Sequence, residues 1–406
     1  MLAMVGDMLA VSELDLPFID ISDPALNGPE FHAAMAEVAA RSWLARMPLG
    51  YLTLDREAGE FFLRTPAATF PGQLLAELYG VDSGPLREEI DRNILHIDGP
   101  DHARLRRLVN PFFTPRAAAR WRPAMQGFLD QLWADLDGSC EFVEAFAKPY
   151  PSLTIATVMG APLSDAGRLH SWSNWIQQQF DGPALIAHRG EIEQAVAEFY
   201  AWCDELLAAR RQSPGDDLVS ALITARDEGD RLTDVELVNL VLNVLIGGVD
   251  TTQAQLSHAL RLFADHPDQW ELLAREPQLV PQAVEEVLRH EPITPFTARV
   301  VVEEVVYNDV VFPAGTVVMV SAVTGNLDGA GDPAFDITAD RADARLMTFG
   351  AGPHHCLGIN LARAELEEAL AFLPARMRGL RLDAAPAFGT VQGIYQLDSL
   401  QLAWDT

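Results

Sequence analysis

Apolar residues recur every three or four positions over residues 31–45, 101–108, 117–136, 191–211, 233–265, 280–290 and 360–373, which predicts helices. Residues 305–312 alternate differently. There Asn308-Asp309 separates two β-branched arms, the pattern of a hairpin whose two turn residues take positive φ. Pro313-Ala314-Gly315 then leads into a strand over 316–321. An irregular stretch rich in Asp, Gly and Pro, 325–344, runs on to Phe349; a loop of that length inside a compact domain usually carries function. No repeat, low-complexity run or Gly/Ser linker interrupts the pattern. The expected fold class is therefore mainly α with a small β region, in a single domain over 1–406, although length alone would favour two or three domains.

Composition adds limits. Apolar residues at 49% supply a large core, and charged residues at 21% are too few for a disordered chain. Fifty-eight acidic against twenty-nine basic residues give a net charge of −29, which disfavours nucleic acid and anionic lipid as partners. One stretch runs against this: between His102 and Asp130 there is no acid, while Arg104, Arg107 and Arg116 are among its arginines, so it is either a docking face or a solvated helix surface. Cys140, Cys203 and Cys356 are too scattered for a disulfide framework and suit a reducing cytoplasm. Residues 1–11 are mildly apolar but short and carry Asp7, so neither a leader nor a membrane anchor is expected.

The candidate chemistry centres on Phe349-Gly350-Ala351-Gly352-Pro353-His354-His355-Cys356-Leu357-Gly358. Here a cysteine follows a glycine-rich turn and precedes an apolar-striped helix. Free N–H groups and the positive end of the helix dipole at that point favour thiolate. Taken alone, Cys356 could be a small buried hydrophobe. A zinc site is disfavoured because the adjacent residues His354, His355 and Cys356 cannot all face one ion, and a dinucleotide loop because the third glycine is missing.

Three further patterns stand in order along the chain. Asp98-Gly99-Pro100 starts a helix, with Asp98 as the expected cap and with His102 and Arg106 four apart on one face. The stretch from Thr233 opens with a capping box to Glu236 and runs almost wholly apolar to Gly247-Gly248-Val249-Asp250-Thr251. Its glycines and acid are costly inside a buried helix and suit a local widening as well as simple packing. Glu286 and Arg289, three apart, share a helix face and can pair.

The cysteine loop matches F-G-x-G-x-H-x-C-x-G, the signature of the cytochrome P-450 family, and the other patterns resemble that family's H-x-x-x-R, acid-alcohol pair and E-x-x-R. Gly99 and Leu327 depart from it, where the family usually has proline and arginine. The resemblance implies a heme b cofactor whose iron is held by Cys356, with dioxygen as co-substrate. It places Phe349, Gly350 and Gly358 around the thiolate, Gly248 over the heme, and His102, Arg106, Arg299 and His354 on its propionates. Asp250 and Thr251 would relay protons, and Glu286 with Arg289 would brace the loop. Leu242, Ile246, Ile293, Phe296 and Ile394 would line a pocket for a hydrophobic small molecule. The implied enzyme is a cytoplasmic, monomeric monooxygenase that hydroxylates or epoxidises, fed by a separate ferredoxin docking near Arg104, Arg107 and Arg116. A peroxide-driven peroxygenase and a non-catalytic heme sensor remain the competing readings.

Overall fold

The computed structural model describes residues 8–227, 232–341 and 345–405. The residues up to Asp7, part of the stretch read for a leader or anchor, and 342–344, the end of the irregular segment, lie outside them. Helices dominate, and the main core is built from them. The helices Asp234–Gly248 and Asp250–Asp265 run through this core, with Leu237, Val241, Leu245 and Leu260 fully buried. Together they are long and apolar enough to cross a membrane, but most of that surface is covered by the protein itself. The Thr233 capping box forms as expected, its hydroxyl accepting from Glu236 N and the Glu236 carboxylate from Thr233 N.

A five-stranded sheet packs beside the helices in the order Leu44–Met47, Gly50–Thr53, Val317–Ser321, Phe296–Val301, Ala68–Thr69. All its pairings are antiparallel except Gly50–Thr53 with Val317–Ser321. The expected hairpin forms as Val305–Tyr307 and Val310–Phe312, with Asn308 at φ 50° and Asp309 at φ 61°.

Several boundaries shift for local reasons. The helix expected over 31–45 is Gly28–Ala39, because Leu44, Ala45 and Met47 bury themselves in the sheet instead. That pairing turns on Gly50 (φ 108°), where a side chain would collide with the Val317 carbonyl. The stretch 117–136 splits into Pro115–Ala119 and Arg122–Trp133, since Pro123 starts a helix readily but cannot continue one. The stretch 233–265 breaks at Val249. Part of the expected irregular segment is the helix Ala322–Leu327, capped by Ser321.

Candidate active site

A cavity of about 600 Å³ lies between the Asp234–Gly248 and Ile359–Phe372 helices and the sheet. The loop 349–358 forms one stretch of its wall. Cys356 N donates to the Phe349 carbonyl at 2.9 Å, closing the loop and presenting the sulfur to the cavity. Burial pushes the thiol pKa up, while Gly358 N–H, Arg106 and Ile359 N–H pull it back. The helix-start effect expected from sequence is therefore present but is the smaller one. Open space lies where Gly350 and Gly358 would carry side chains. Phe349 sits under the Arg363 guanidinium, 5.4 Å from its ring centroid.

Cationic groups gather at one edge of this wall. Arg299 is 3% exposed, and its one acceptor among the described residues is its neighbour Ala298 O at 2.8 Å; burial lowers its pKa to about 10 against the pull of Asp98. Arg106 donates to the His355 carbonyl at 2.8 Å. His354 Nε2 donates to Asp98 Oδ1 at 2.7 Å, while its Nδ1 is buried without a partner among the described residues. Asp98 thus begins the Gly99–Val109 helix in position, but its carboxylate caps His354 and not the helix, contrary to expectation. His102 does not reach the cavity wall. Its ring packs behind His354 with centroids 4.3 Å apart, and burial drops its pKa to about 4.

On another stretch of the wall, the Thr251 hydroxyl donates to the Gly247 carbonyl at 2.7 Å across the break at Val249. A side chain at Gly247 would enter open space, whereas one at Gly248 would meet Ile155, so helix packing also requires Gly248. Asp250 does not line the cavity with its neighbour. Fully buried, it accepts from the Ser173 hydroxyl and, at 3.3 Å, from Asn174 Nδ2, both on the Ala166–Gln177 helix. Burial raises its pKa, with Ser173 and the charge of His170 opposing.

Glu286 and Arg289 pair in two bonds, 2.7 and 2.6 Å, at 2% and 1% exposure. Glu286 also accepts from Asp336 N at 3.0 Å and sits against Arg341, while Arg289 donates to Pro333 and Ala334 carbonyls. Asn326 carries this brace to the cysteine loop: its side chain donates to Leu288 and Arg289 carbonyls and accepts from Met347 N at 2.6 Å. Sequence reading passed over Asn326 as a binding partner.

Ile246, Ile293, Phe296 and Ile394 line the cavity as expected. Leu242 does not; it is buried on another face of its helix, and the wall position belongs to Asn243. Glu365 was also missed. This buried acid on the cysteine helix borders the cavity, accepts from the Thr252 hydroxyl at 3.3 Å and is pushed well above the carboxylate range by burial. In sequence it stands beside Glu367 and Glu368, and nothing local marks it as the buried one.

Residues 169–373 match the sequence model of the family described as cytochrome P450. Over 374 residues, 89% of this chain and 90% of the relative, the sequence is 38% identical to luteothin monooxygenase of Streptomyces thioluteus. The chain belongs to the cytochrome P450 family. It is also 36% identical over 301 residues to mycinamicin IV hydroxylase/epoxidase of Micromonospora griseorubida, covering 73% of this chain and 75% of that one. The crystal structure of CalO2 superposes with a TM-score of 0.89 at 29% identity, over 96% of this chain and 99% of that one. The chain is accordingly a cytochrome P450 monooxygenase, of a family that carries heme and uses dioxygen and redox partners. The mainly helical fold with small sheets expected from sequence is the family's.

Proposed function

We propose that this P450 binds heme b (iron protoporphyrin IX) through Cys356 and inserts one oxygen atom from O2 into a hydrophobic small molecule. The observation that carries this reading is that the Cys356 loop and the Thr251–Gly247 break face one largely apolar cavity. The residues fit a heme. Among the described residues, Arg299 is a buried cation with no carboxylate bonded to it and His354 has an unpartnered ring nitrogen, and glycines leave space beside the sulfur. Arg106, Arg299 and His354 would hold the propionates, with His102 setting the ring of His354. The heme would supply oxygen activation, and the protein the ligand, pocket and protons.

Thr251 borders the cavity and offers a hydroxyl, while Asp250, one residue earlier, holds a carboxylate among hydrogen-bond donors behind the wall; we assign them proton delivery. Hydroxylation or epoxidation is supported by the name of the mycinamicin IV relative. The reduced holoenzyme is expected to give a thiolate-type carbon monoxide difference spectrum and to consume NADPH with surrogate ferredoxin and reductase when an apolar substrate is added. A thiolate spectrum without consumption across a broad apolar panel would instead favour a heme sensor.

Electrons would come from a separate ferredoxin and its reductase. Of the basic segment, Arg104 is committed to Glu236, Arg120 to Asp216 and Arg122 to Glu367 and Glu368. Arg107 and Arg116 are exposed, and no ion pair to either is seen among the described residues. The docking role therefore rests on these two and no longer on Arg104. The double substitution Arg107→Glu/Arg116→Glu is expected to lower ferredoxin-supported turnover about tenfold at low salt, with the gap closing as salt rises. Equal turnover at low salt rules the site out. The free thiols Cys140, Cys203 and Cys356 support a cytoplasmic setting, and we read the chain as one monomeric domain.

A further inference from the structure

Polar side chains cross an otherwise apolar helix interface at helical spacing. On the helix Ala166–Gln177, His170, Ser173, Asn174 and Gln177 recur at steps of three and four residues and so share one face. Each meets the broken helix opposite, in reverse order. His170 Nε2 donates to Gln253 Oε1 at 2.8 Å, Ser173 and Asn174 donate to the Asp250 carboxylate, and Gln177 Nε2 donates to the Ile246 carbonyl. The contacts therefore straddle the break at Val249, with Gln177 on one half of the helix and the others on the second half.

The break frees two carbonyls. In a continuous helix Ile246 O would accept from the N–H of residue 250, and Gly247 O from that of residue 251. With the helix interrupted at Val249, neither of these bonds is present among the described residues. Side chains take their place: the Gln177 amide on Ile246 O, and the Thr251 hydroxyl on Gly247 O at 2.7 Å. A buried carbonyl left without a donor is costly, so each substitute bond favours the broken form over the continuous helix. One turn away, the fully buried Ser173 and its neighbour Asn174 hold the Asp250 carboxylate behind the cavity wall.

We propose that Gln177, Ser173 and Asn174 are positioning residues for proton delivery: Gln177 keeps the helix broken beside Thr251, and Ser173 with Asn174 fix the orientation of Asp250. This role rests on Asp250 and Thr251 being the proton-delivering pair. Without the Gln177 donor, Ile246 O is free to take the Asp250 N–H, the break closes, and both side chains turn out of place. Each productive turnover takes up two electrons and two protons with one dioxygen, leaving one oxygen atom in the product and the other in water. When proton delivery fails, the same electrons and protons leave with both oxygen atoms as hydrogen peroxide.

The test measures styrene epoxidation by the holoenzyme along two routes. One uses dioxygen with NADPH, surrogate ferredoxin and reductase, and needs protons; the other uses iodosylbenzene, which hands over its oxygen atom, leaves as iodobenzene and needs none. Gln177→Met keeps the side chain's length and removes its donor, and it is expected to lower epoxide formed per NADPH about fivefold, with hydrogen peroxide making up the difference. Ser173→Ala should act in the same direction, so failure of one variant to fold leaves the other to decide. With iodosylbenzene both variants should match the parent within about twofold, which a damaged pocket or heme site would not allow. Parent-like coupling in both variants, or an equal loss along both routes, would overturn the proposal. Thr251→Ala separates the two levels. If it stays coupled, the proton-delivery reading falls and the positioning role with it; if it uncouples while the other two do not, only the positioning role falls. No epoxide from the parent along either route would overturn the oxygen-insertion reading itself.

Discussion

Cys356→Ser removes the thiolate-type carbon monoxide spectrum and lowers monooxygenase turnover at least about a thousandfold, or about 4 kcal/mol of barrier. The expectation follows from what surrounds the sulfur. Gly358 and Ile359 N–H groups and the Arg106 cation converge on Cys356, and each stabilises negative charge there. A serine hydroxyl of similar size keeps the loop, because the closing bond runs from the backbone N of residue 356 to the Phe349 carbonyl and not through the side chain. It does not offer a soft anionic ligand at neutral pH. Spectra of reduced protein under carbon monoxide, together with heme content and product formation, check this. Retention of the thiolate band by the serine variant would refute the assignment of Cys356.

The second large effect is on folding. Glu286→Ala leaves Arg289 buried with no carboxylate, removes the acceptor of Asp336 N and releases Arg341. Burial raises the Glu286 pKa, but Arg289, Asp336 N–H and Arg341 outweigh it and the net shift is downward, so the carboxylate is ionised and holds its donors across neutral pH. Breaking such a pair from one side costs about 3–5 kcal/mol, a large part of a typical stability of about 5–15 kcal/mol. Denaturant unfolding should show the loss as a lower midpoint, accompanied by poor heme retention. Glu285→Ala, one residue away, is the internal control: its carboxylate is 43% exposed and pairs with Arg363, so about 1 kcal/mol or less is expected. If the two variants unfold at the same midpoint, the brace has no special role.

Much of this was legible along the chain, and the reasons differ by residue. Val280–His290 and the Asn308-Asp309 turn were readable because periodicity and backbone preference are local properties. Leu44–Met47 was not, because three apolar residues after a helix continue its periodicity as well as they fit a strand, and only Gly50–Thr53 decides between them. In the site, Cys356 and the Glu286–Arg289 pair stood out as patterned residues. Glu365 and Asn326 did not, since nothing local distinguishes a buried acid in an acidic run or an asparagine that bonds two backbone segments. Asn243 left a trace that could have been followed. It and Asn239 lie four apart in a run of leucines and valines, a spacing that puts two polar groups on one face of a buried helix.

The orientation of Asp250 has a mechanical meaning. Its carboxylate is gripped by Ser173 and Asn174, and the same Ala166–Gln177 helix borders the cavity through Gln177, which donates to the Ile246 carbonyl. A pocket wall and the clamp on the acid we assign to proton delivery are therefore carried by one helix. Under the proposed roles, a ligand that displaced that helix would pull on the acid through two hydrogen bonds, and the fit of a molecule in the cavity would be geared to the acid's setting.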